Sequence, residues 1–219
     1  MNETQTRALL VALAASLFAR GFAVGSAGNI SVRLDDGFLI TPTNSSLGRL
    51  DARRLAKLDS GFRHIDGDAP SKEVFMHRAV YAARPHSGAV VHLHSTMATA
   101  VSCLVPADAD SPIPLLTPYF VMRIGKTLPL VPYYRPGDPD VADAIKGLAG
   151  KYSSVLLANH GPVVSGDTLE AAVFAIEELE ETAKLYLLLR GLNPRYLSPE
   201  QVADLVKVFG VMLPEIGHD

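Results

Sequence analysis

Two histidines, His92 and His94, lie inside the apolar run AVVHLHST of a chain that has seven histidines in all. The run predicts a buried strand, in which residues i and i+2 share a face at a separation of roughly 6 to 7 Å. Two imidazoles so placed can bind one metal ion, with Zn–N bonds of about 2.0 to 2.1 Å. Most histidines are not metal ligands, so two core histidines bonded to the backbone remain the alternative.

A third histidine, His160, lies in ANHGP between two short apolar runs. Alone it indicates a loop histidine, but three neutral imidazoles with an open position would form a catalytic zinc-type site. The other four histidines lack such a setting and are interpreted as solvated or structural: His64, His77, His86 and His218. His77 follows Glu73 by four residues and could share its helix face.

An acid–base candidate, Glu73, lies in DAPSKEVFMH, where the pattern predicts a helix from Ser71 to Ala83. A glutamate in a first helical turn ordinarily only favours the helix dipole, and Ser71 would then be the N-cap. The functional alternative is that Ser71, Lys72 and free backbone N–H groups hold an anion while Glu73 faces a metal ion.

Two asparagine-containing segments are weaker candidates for holding a phosphate. GSAGNIS contains Gly28 and Asn29 just before a predicted strand, and TPTNSS contains Thr43 and Asn44. Each is more typical of a turn than of a phosphate cradle.

Composition limits the class of protein. The 219 residues are 48% hydrophobic, enough for one core and one domain over residues 1–219. A net charge of −3 without basic clusters argues against a nucleic-acid partner. No window approaches the roughly 20 apolar residues of a membrane span, and the single cysteine, Cys103, fits a reducing compartment. We expect a soluble, cytoplasmic protein without a membrane partner.

The remaining pattern interleaves helices with short strands. Ala8 to Ala19 predicts an amphipathic first helix, with a signal peptide as the alternative. Asp36-Gly37 predicts a hairpin turn, and a further helix is expected from Ser95 to Cys103. The proline-rich stretch 105–139 predicts loop and short strand, followed by two strands joined through residues 159–161. Asp167, with Glu170 three residues on, predicts the cap of a helix that ends near Arg190.

The order of these motifs carries a resemblance. GNIS, TPT, SKE, VVHLHS, NHGPV and the helix EAAVFAIEELEETAKLY resemble the class II aldolase/adducin family from the first helix to about Leu197. Within that family the motifs are most similar to the 3-oxo-tetronate 4-phosphate decarboxylases. The resemblance implies an α/β fold, a three-layer α/β/α class II aldolase-like arrangement with a mostly antiparallel central sheet.

The resemblance also implies residue roles. A divalent metal, usually zinc, with Mn²⁺ or Co²⁺ as alternatives, would be bound by His92, His94 and His160, and Glu73 would be the acid–base carboxylate. The segments that bind the substrate phosphate would be Gly28 and Asn29, Thr43 and Asn44, and Ser71 with Lys72. The family typically forms homotetramers with sites between subunits, and the tyrosine lent by a neighbouring subunit maps approximately to Tyr119, with Tyr133 and Tyr134 as rivals.

This chain departs from the family aldolases at Lys72, because those enzymes have two serines before the glutamate. The departure argues against simple aldol transfer. A 3-oxo acid loses carbon dioxide readily when a metal stabilises the resulting enediolate. Glu73 in its protonated form would then protonate carbon to give dihydroxyacetone phosphate, and a pKa raised by burial would help. Lys72 is assigned to the phosphate, since a cation on the departing carboxylate would stabilise the ground state.

Two other functions are kept as alternatives. The same metal and carboxylate could support a sugar-phosphate aldolase or a 4-epimerase. A non-enzymatic interaction module, as in the adducins, is the third hypothesis, and the presence of all three candidate histidines together with Glu73 argues against it.

Overall fold

The computed structural model describes residues 1–106 and 111–211, and within them the chain forms helices and one sheet. The helices are α1 (Glu3–Ala19), α2 (Val74–Ala83), α3 (Thr96–Ser102), α4 (Pro118–Arg123), α5 (Asp140–Ala149), α6 (Leu169–Leu189) and α7 (Pro199–Phe209). The strands are β1 (Asn29–Leu34), β2 (Gly37–Ile40), β3 (Ala56–Asp59), β4 (His64–Asp66), β5 (Ala89–His92), β6 (Leu130–Val131), β7 (Ser154–Leu157) and β8 (Gly161–Gly166).

The strands form one eight-stranded sheet in the order β4-β3-β2-β1-β5-β8-β7-β6. Every neighbouring pair is antiparallel except β6 with β7. β5 lies at the centre, where Asn29 of β1 and Val163 of β8 are the register partners of His92. The prediction of a mostly antiparallel sheet is confirmed.

Helices cover both faces of the sheet. Val91 and Val164 belong to a core shared with α1, α3, α4 and α6, whereas Val90 and Val163 belong to a second core shared with α2 and α5. This alternation follows from the two-residue period of strand side chains. The three-layer α/β/α arrangement is therefore confirmed.

The hairpin between β1 and β2 is confirmed, but its turn is shifted by one residue. Asp35 and Asp36 form the turn, and Gly37 already pairs with Leu34 as the first residue of β2. A Cβ at Gly37 would collide with the Leu58 carbonyl oxygen of β3. The glycine is needed for close strand approach and not for the turn itself.

Two helix starts also differ from the prediction. α2 begins at Val74 with Glu73 as its N-cap, so Ser71 is not the cap; the Ser71 hydroxyl instead accepts the Glu73 backbone N–H at 3.2 Å. α6 is capped by Thr168 instead of Asp167, because the Thr168 hydroxyl accepts the Ala171 N–H at 3.1 Å.

The first helix, the helix after Ser95 and the two strands joined through residues 159–161 are confirmed, and α1 begins five residues earlier than predicted. Over the described part of 105–139 the two-residue β6 and the loops around it agree with the prediction, whereas the six-residue helix α4 was not predicted. Residues 107–110 and His218 lie outside the described residues. Among the described helices, none is long and apolar enough to cross a membrane.

Several elements had no prediction: α5, α7, β3 and β4. The sequence does carry a signal for α7, because the side chain and backbone of Ser198 and Gln201 bond reciprocally in a capping box. Gly210, with φ of 61°, ends this helix in the left-handed conformation that glycine favours.

Candidate metal centre

The three predicted ligands come from two segments of the chain and meet at one end of the central strands. His92 is the last residue of β5, His94 lies two residues beyond that strand, and His160 lies in the turn between β7 and β8. The Nε2 of His94 is 3.1 Å from the Nε2 of His92 and 3.0 Å from that of His160. The predicted strand is thus shorter than expected, yet the two rings still converge.

The turn that carries His160 is fixed against its neighbours. The backbone N–H of His160 donates to the Ser102 hydroxyl at 3.3 Å, and its carbonyl accepts the Thr99 hydroxyl at 3.1 Å. Gly161 follows with φ of 155°, and a Cβ there would collide with the Leu93 carbonyl oxygen. Only glycine lets the turn approach the segment between His92 and His94 so closely.

The donor set fits a divalent metal. The Nδ1–H of His92 donates to the Pro162 carbonyl oxygen at 2.8 Å, which leaves the Nε2 lone pair facing the other rings. Burial lowers the pKa of His92 to about 3 and also lowers that of His94, so both are neutral near pH 7. Two nitrogens on one tetrahedral zinc would lie about 3.3 Å apart, close to the separations found.

Glu73 completes the cluster. Its Oε1 is 3.4 Å from the Nε2 of His160, and its Oε2 is 3.6 Å from the Nε2 of His92. The ligand atoms of these residues and His94 all lie within 4.8 Å of one another. The four residues predicted for metal binding and acid–base chemistry are therefore brought together.

The pKa of Glu73 departs from the expectation. Burial does raise it, but the His160 hydrogen bond, the charge of a protonated His92 and the Asn29 amide together outweigh that effect. The Asn29 Nδ2 donates to Oε2 of Glu73 at 2.7 Å. The net pKa of Glu73 lies well below its ordinary value, so the group is a carboxylate at rest, and burial does not leave it with the raised pKa that would favour the protonated form.

The segments predicted to bind phosphate are neighbours in space. Thr41 joins them: its hydroxyl accepts the Ile30 N–H at 3.2 Å, and its carbonyl accepts the Ser71 N–H at 3.2 Å. Thr43 donates its N–H to the Ala69 carbonyl at 2.9 Å. Lys72 is exposed, as is Asn44, which has φ of 55°.

Gly28 and Asn29 lie nearest to the cluster. A Cβ at Gly28, where φ is 83°, would lie 3.0 Å from the His92 carbonyl oxygen. The Asn29 side chain is buried, and both ends of its amide are engaged within the chain, with Glu73 and with the Nε2 of His77 at 2.5 Å. Sequence reasoning missed this contact to Glu73; the only signal was the four-residue spacing of Glu73 and His77.

Tyr119 does not join the cluster of its own chain. It lies on α4 with 57% of its surface exposed, and no hydrogen bond among the described residues connects it to Glu73 or to a candidate ligand. Of its rivals, Tyr133 is exposed, whereas Tyr134 lines a cleft beside Glu73 and His160.

Arg135 lines the same cleft and was not predicted. Its Nε is 3.5 Å from the Asp138 carboxylate, and its side chain is mostly exposed. The YYRPGD motif contains this residue, but nothing in the sequence relates it to Glu73.

Comparison with known proteins agrees with this geometry. The family model described as Class II Aldolase and Adducin N-terminal domain matches residues 8–187. The chain belongs to this family. A solved structure from Klebsiella pneumoniae, described as an aldolase/epimerase/decarboxylase, superposes with a TM-score of 0.91 at 51% identity, covering 94% of this chain and 99% of that one.

Two curated relatives carry specific names. A 3-oxo-tetronate 4-phosphate decarboxylase of Pectobacterium atrosepticum is 52% identical over 205 residues, 93% of this chain and 94% of the relative. An L-fuculose phosphate aldolase of Escherichia coli is 32% identical over 200 residues, 89% of this chain and 91% of the relative. Similarity to the named decarboxylase is therefore much stronger than to the named aldolase.

Proposed function

We propose that this class II aldolase/adducin family member is a carboxy-lyase that decarboxylates 3-oxo-tetronate 4-phosphate to dihydroxyacetone phosphate and carbon dioxide. The observation that carries the proposal is the convergence of three imidazoles and the Glu73 carboxylate within 4.8 Å, beside segments suited to an anion. The 52% identity to a protein named for this reaction supports the substrate.

The proposed metal ligands are His92, His94 and His160, and the proposed ion is zinc, with Mn²⁺ or Co²⁺ as alternatives. A divalent ion there would supply Lewis-acid stabilisation of the negative charge that develops on the substrate's carbonyl oxygen. The hydrogen bond from the Nδ1–H of His92 to the Pro162 carbonyl oxygen fixes the tautomer in which Nε2 is free to bind the ion.

Glu73 is the proposed proton carrier. When the bond from the carboxylate to its neighbouring carbon breaks, the electron pair stays with that carbon and the adjacent carbonyl, and one proton must be added to the carbon. Because Glu73 is a carboxylate at rest, it takes up a proton before it gives one. The substrate hydroxyl on the reacting carbon can supply that proton, and its oxygen regains one from water as the product leaves.

The substrate's phosphate is assigned to the neighbouring segments that contain Gly28 and Asn29, Thr43 and Asn44, and Ser71 with Lys72. The hydrogen bonds of the Thr41 hydroxyl and backbone hold these segments side by side, and a phosphate keeps its charge throughout the reaction. Lys72 can therefore stabilise the bound substrate without opposing loss of carbon dioxide.

Fuculose-1-phosphate-type aldol cleavage, or 4-epimerisation, is the second candidate. The 32% identity to a named L-fuculose phosphate aldolase favours the aldolase over any function outside the family. An adducin-like interaction module is disfavoured, because it would not need the Glu73 and histidine cluster.

The proposed assembly is a homotetramer of single-domain chains with sites between subunits, in the cytoplasm. Large apolar side chains that are at least 41% exposed on or next to α6 and α7 support an interface there: Phe174, Leu185, Leu188, Leu192, Val208 and Phe209. The exposed free thiol of Cys103 fits a reducing compartment.

The test is turnover of two substrates by the zinc-loaded protein, with Glu73→Gln as the control. We expect 3-oxo-tetronate 4-phosphate to yield carbon dioxide and dihydroxyacetone phosphate, and the variant to lose at least about a hundredfold in kcat, as expected for a general acid–base group. Aldehyde release from fuculose 1-phosphate, without carbon dioxide from the first substrate, would make the protein an aldolase.

A further inference from the structure

Four buried polar side chains form a continuous hydrogen-bonded chain that ends at the partly buried Glu73. The Tyr81 hydroxyl is 3.0 Å from the Ser31 hydroxyl, which is 2.7 Å from Nδ1 of His77. Nε2 of His77 is 2.5 Å from Oδ1 of Asn29, whose Nδ2 is 2.7 Å from Glu73. The four buried residues are less than 5% exposed, and none of them is charged at neutral pH.

Chemistry fixes the direction of each bond in this chain. A carboxylate only accepts, so the Asn29 amide nitrogen must face Glu73 and its oxygen must face His77. That oxygen also only accepts, so His77 carries its proton on Nε2 and leaves Nδ1 as an acceptor for the Ser31 hydroxyl. The Ser31 oxygen then accepts the Tyr81 hydroxyl.

His77 can accept from Ser31 and donate to Asn29 because its ring is neutral. Burial lowers its pKa to about 4, so near pH 7 the ring has one donor and one acceptor. A protonated ring would donate from both nitrogens, and Ser31 would have to reverse. The neutral ring therefore allows only one set of hydrogen-bond directions from Ser31 through His77 to Asn29.

Glu73 depends on this contact because its own helix does not hold it. It is the N-cap of α2, but its side chain makes no capping hydrogen bond. Among the described residues, its one hydrogen bond from a side chain that is not a candidate metal ligand comes from Asn29. The Asn29 amide is therefore the contact that can fix the carboxylate independently of the ion.

We propose that His77 is a positioning residue that fixes the Asn29 amide, and through it the Glu73 carboxylate. The role of Glu73 in turnover rests on the proposed function; the arrangement of the three side chains does not.

The matched test is His77→Gln against His77→Asn. A glutamine amide reaches the position of Nε2 and can still donate to Asn29, whereas an asparagine amide reaches only the position of Nδ1 and can bond Ser31 but not Asn29. Both replacements are neutral and polar, so they differ chiefly in the bond that the proposal needs.

With zinc-loaded protein and 3-oxo-tetronate 4-phosphate, we expect His77→Gln to retain kcat within about threefold, and His77→Asn to lose about 10–100-fold in kcat with KM unchanged, the size typical of outer-shell partners. Crystal structures of the two variants should keep the contact between Asn29 and Glu73 in the first and lose it in the second. Asn29→Asp, which cannot donate to Glu73, should lose kcat at least as strongly and covers the case in which His77→Asn does not fold.

Equal kcat for the two His77 variants, or a raised KM with unchanged kcat in His77→Asn or Asn29→Asp, would overturn the proposal, the latter by assigning Asn29 to the phosphate. If the wild-type protein does not turn over this substrate, the proposed function fails, and the two crystal structures still decide the positioning role. Loss of the Asn29 contact in both variants, or in neither, would then reject it.

Discussion

Lys72 and Ser71 offer different kinds of contact to a phosphate. Ser71 is buried, and its N–H and hydroxyl are already bonded to Thr41 and Glu73, whereas the Lys72 side chain is exposed and free to reach a ligand. An ammonium group acts as a mobile point charge, so it strengthens binding without fixing geometry. Its contribution should therefore concern substrate affinity more than the chemical step.

Lys72→Ser should raise KM for 3-oxo-tetronate 4-phosphate about tenfold and leave kcat within about twofold, because the phosphate charge does not change during the reaction. Steady-state kinetics measures both constants. Lys151→Ser, at an exposed lysine before β7, is the matched control and should change neither. Unchanged KM in Lys72→Ser would remove Lys72 from the substrate site.

The residues of the site could be predicted from sequence to different degrees. His92 and His94 are indicated by spacing within one strand, and His160 and Glu73 by the order of motifs that resemble the family. The hydrogen bonds of Asn29 with Glu73 and His77 depend on β1 packing beside α2, and no local sequence pattern predicts that packing. Such contacts across 44 and 48 residues are set by the tertiary fold alone.

The turn between β7 and β8 shows how an element controls the site. Asn159 has φ of 55°, and Gly161 lies against Leu93, so the turn is held closely against the segment that carries His94. Helix and strand types were predictable from period and proline content, but the exact ends were not. The starts of α2 and α6 were decided by which hydroxyl accepts a backbone N–H, a choice between neighbouring residues that the pattern leaves open.

Gly161→Ala should lower the free energy of unfolding by about 1–3 kcal/mol and reduce bound metal, because the new Cβ would push His160 away from His94. Chemical denaturation and metal analysis of the purified protein test both effects. Gly147→Ala in α5 is the control: nothing lies within 4 Å of its Cβ, and alanine in a helix should stabilise by about 0.5–1 kcal/mol. Full metal content in Gly161→Ala would contradict this account of the turn.

The buried face of α2 should make the protein sensitive to acid. The pKa of His77 is lowered from 6.5 to about 4 in the folded state, so below pH 6.5 the unfolded chain binds a proton that the folded chain refuses. The contribution of His77 to the free energy of unfolding is therefore fully present above pH 6.5. It declines as the pH falls towards 4, by up to about 3 kcal/mol. Urea unfolding of chelator-treated protein at several pH values should show a smaller decline for His77→Gln. Equal declines would mean that His77 is not buried as a neutral ring.

At the scale of the whole molecule, the isolated chain leaves an apolar surface exposed on three helices. α4 packs against α6 and α7, and all three helices expose large apolar side chains, among them Tyr119 and Leu188. Because Tyr119 makes no hydrogen bond to its own cluster, a role in turnover would require it to act on another chain. The proposed homotetramer and the proposed role of Tyr119 are thus linked, and one experiment addresses both.

Mixing subunits separates the two possible positions of Tyr119. If it completes a neighbouring site, co-expressed Glu73→Gln and Tyr119→Phe subunits should recover activity, since about a quarter of sites in an equal mixture combine an intact Glu73 with an intact Tyr119 from the next subunit. If Tyr119 served the cluster of its own chain, every site would lack one of the two groups, and the mixture would be as inactive as the separate variants. Tyr134→Phe subunits provide the comparison: Tyr134 lies beside Glu73 in the same chain, so mixing them with Glu73→Gln subunits should restore nothing beyond their own residual turnover.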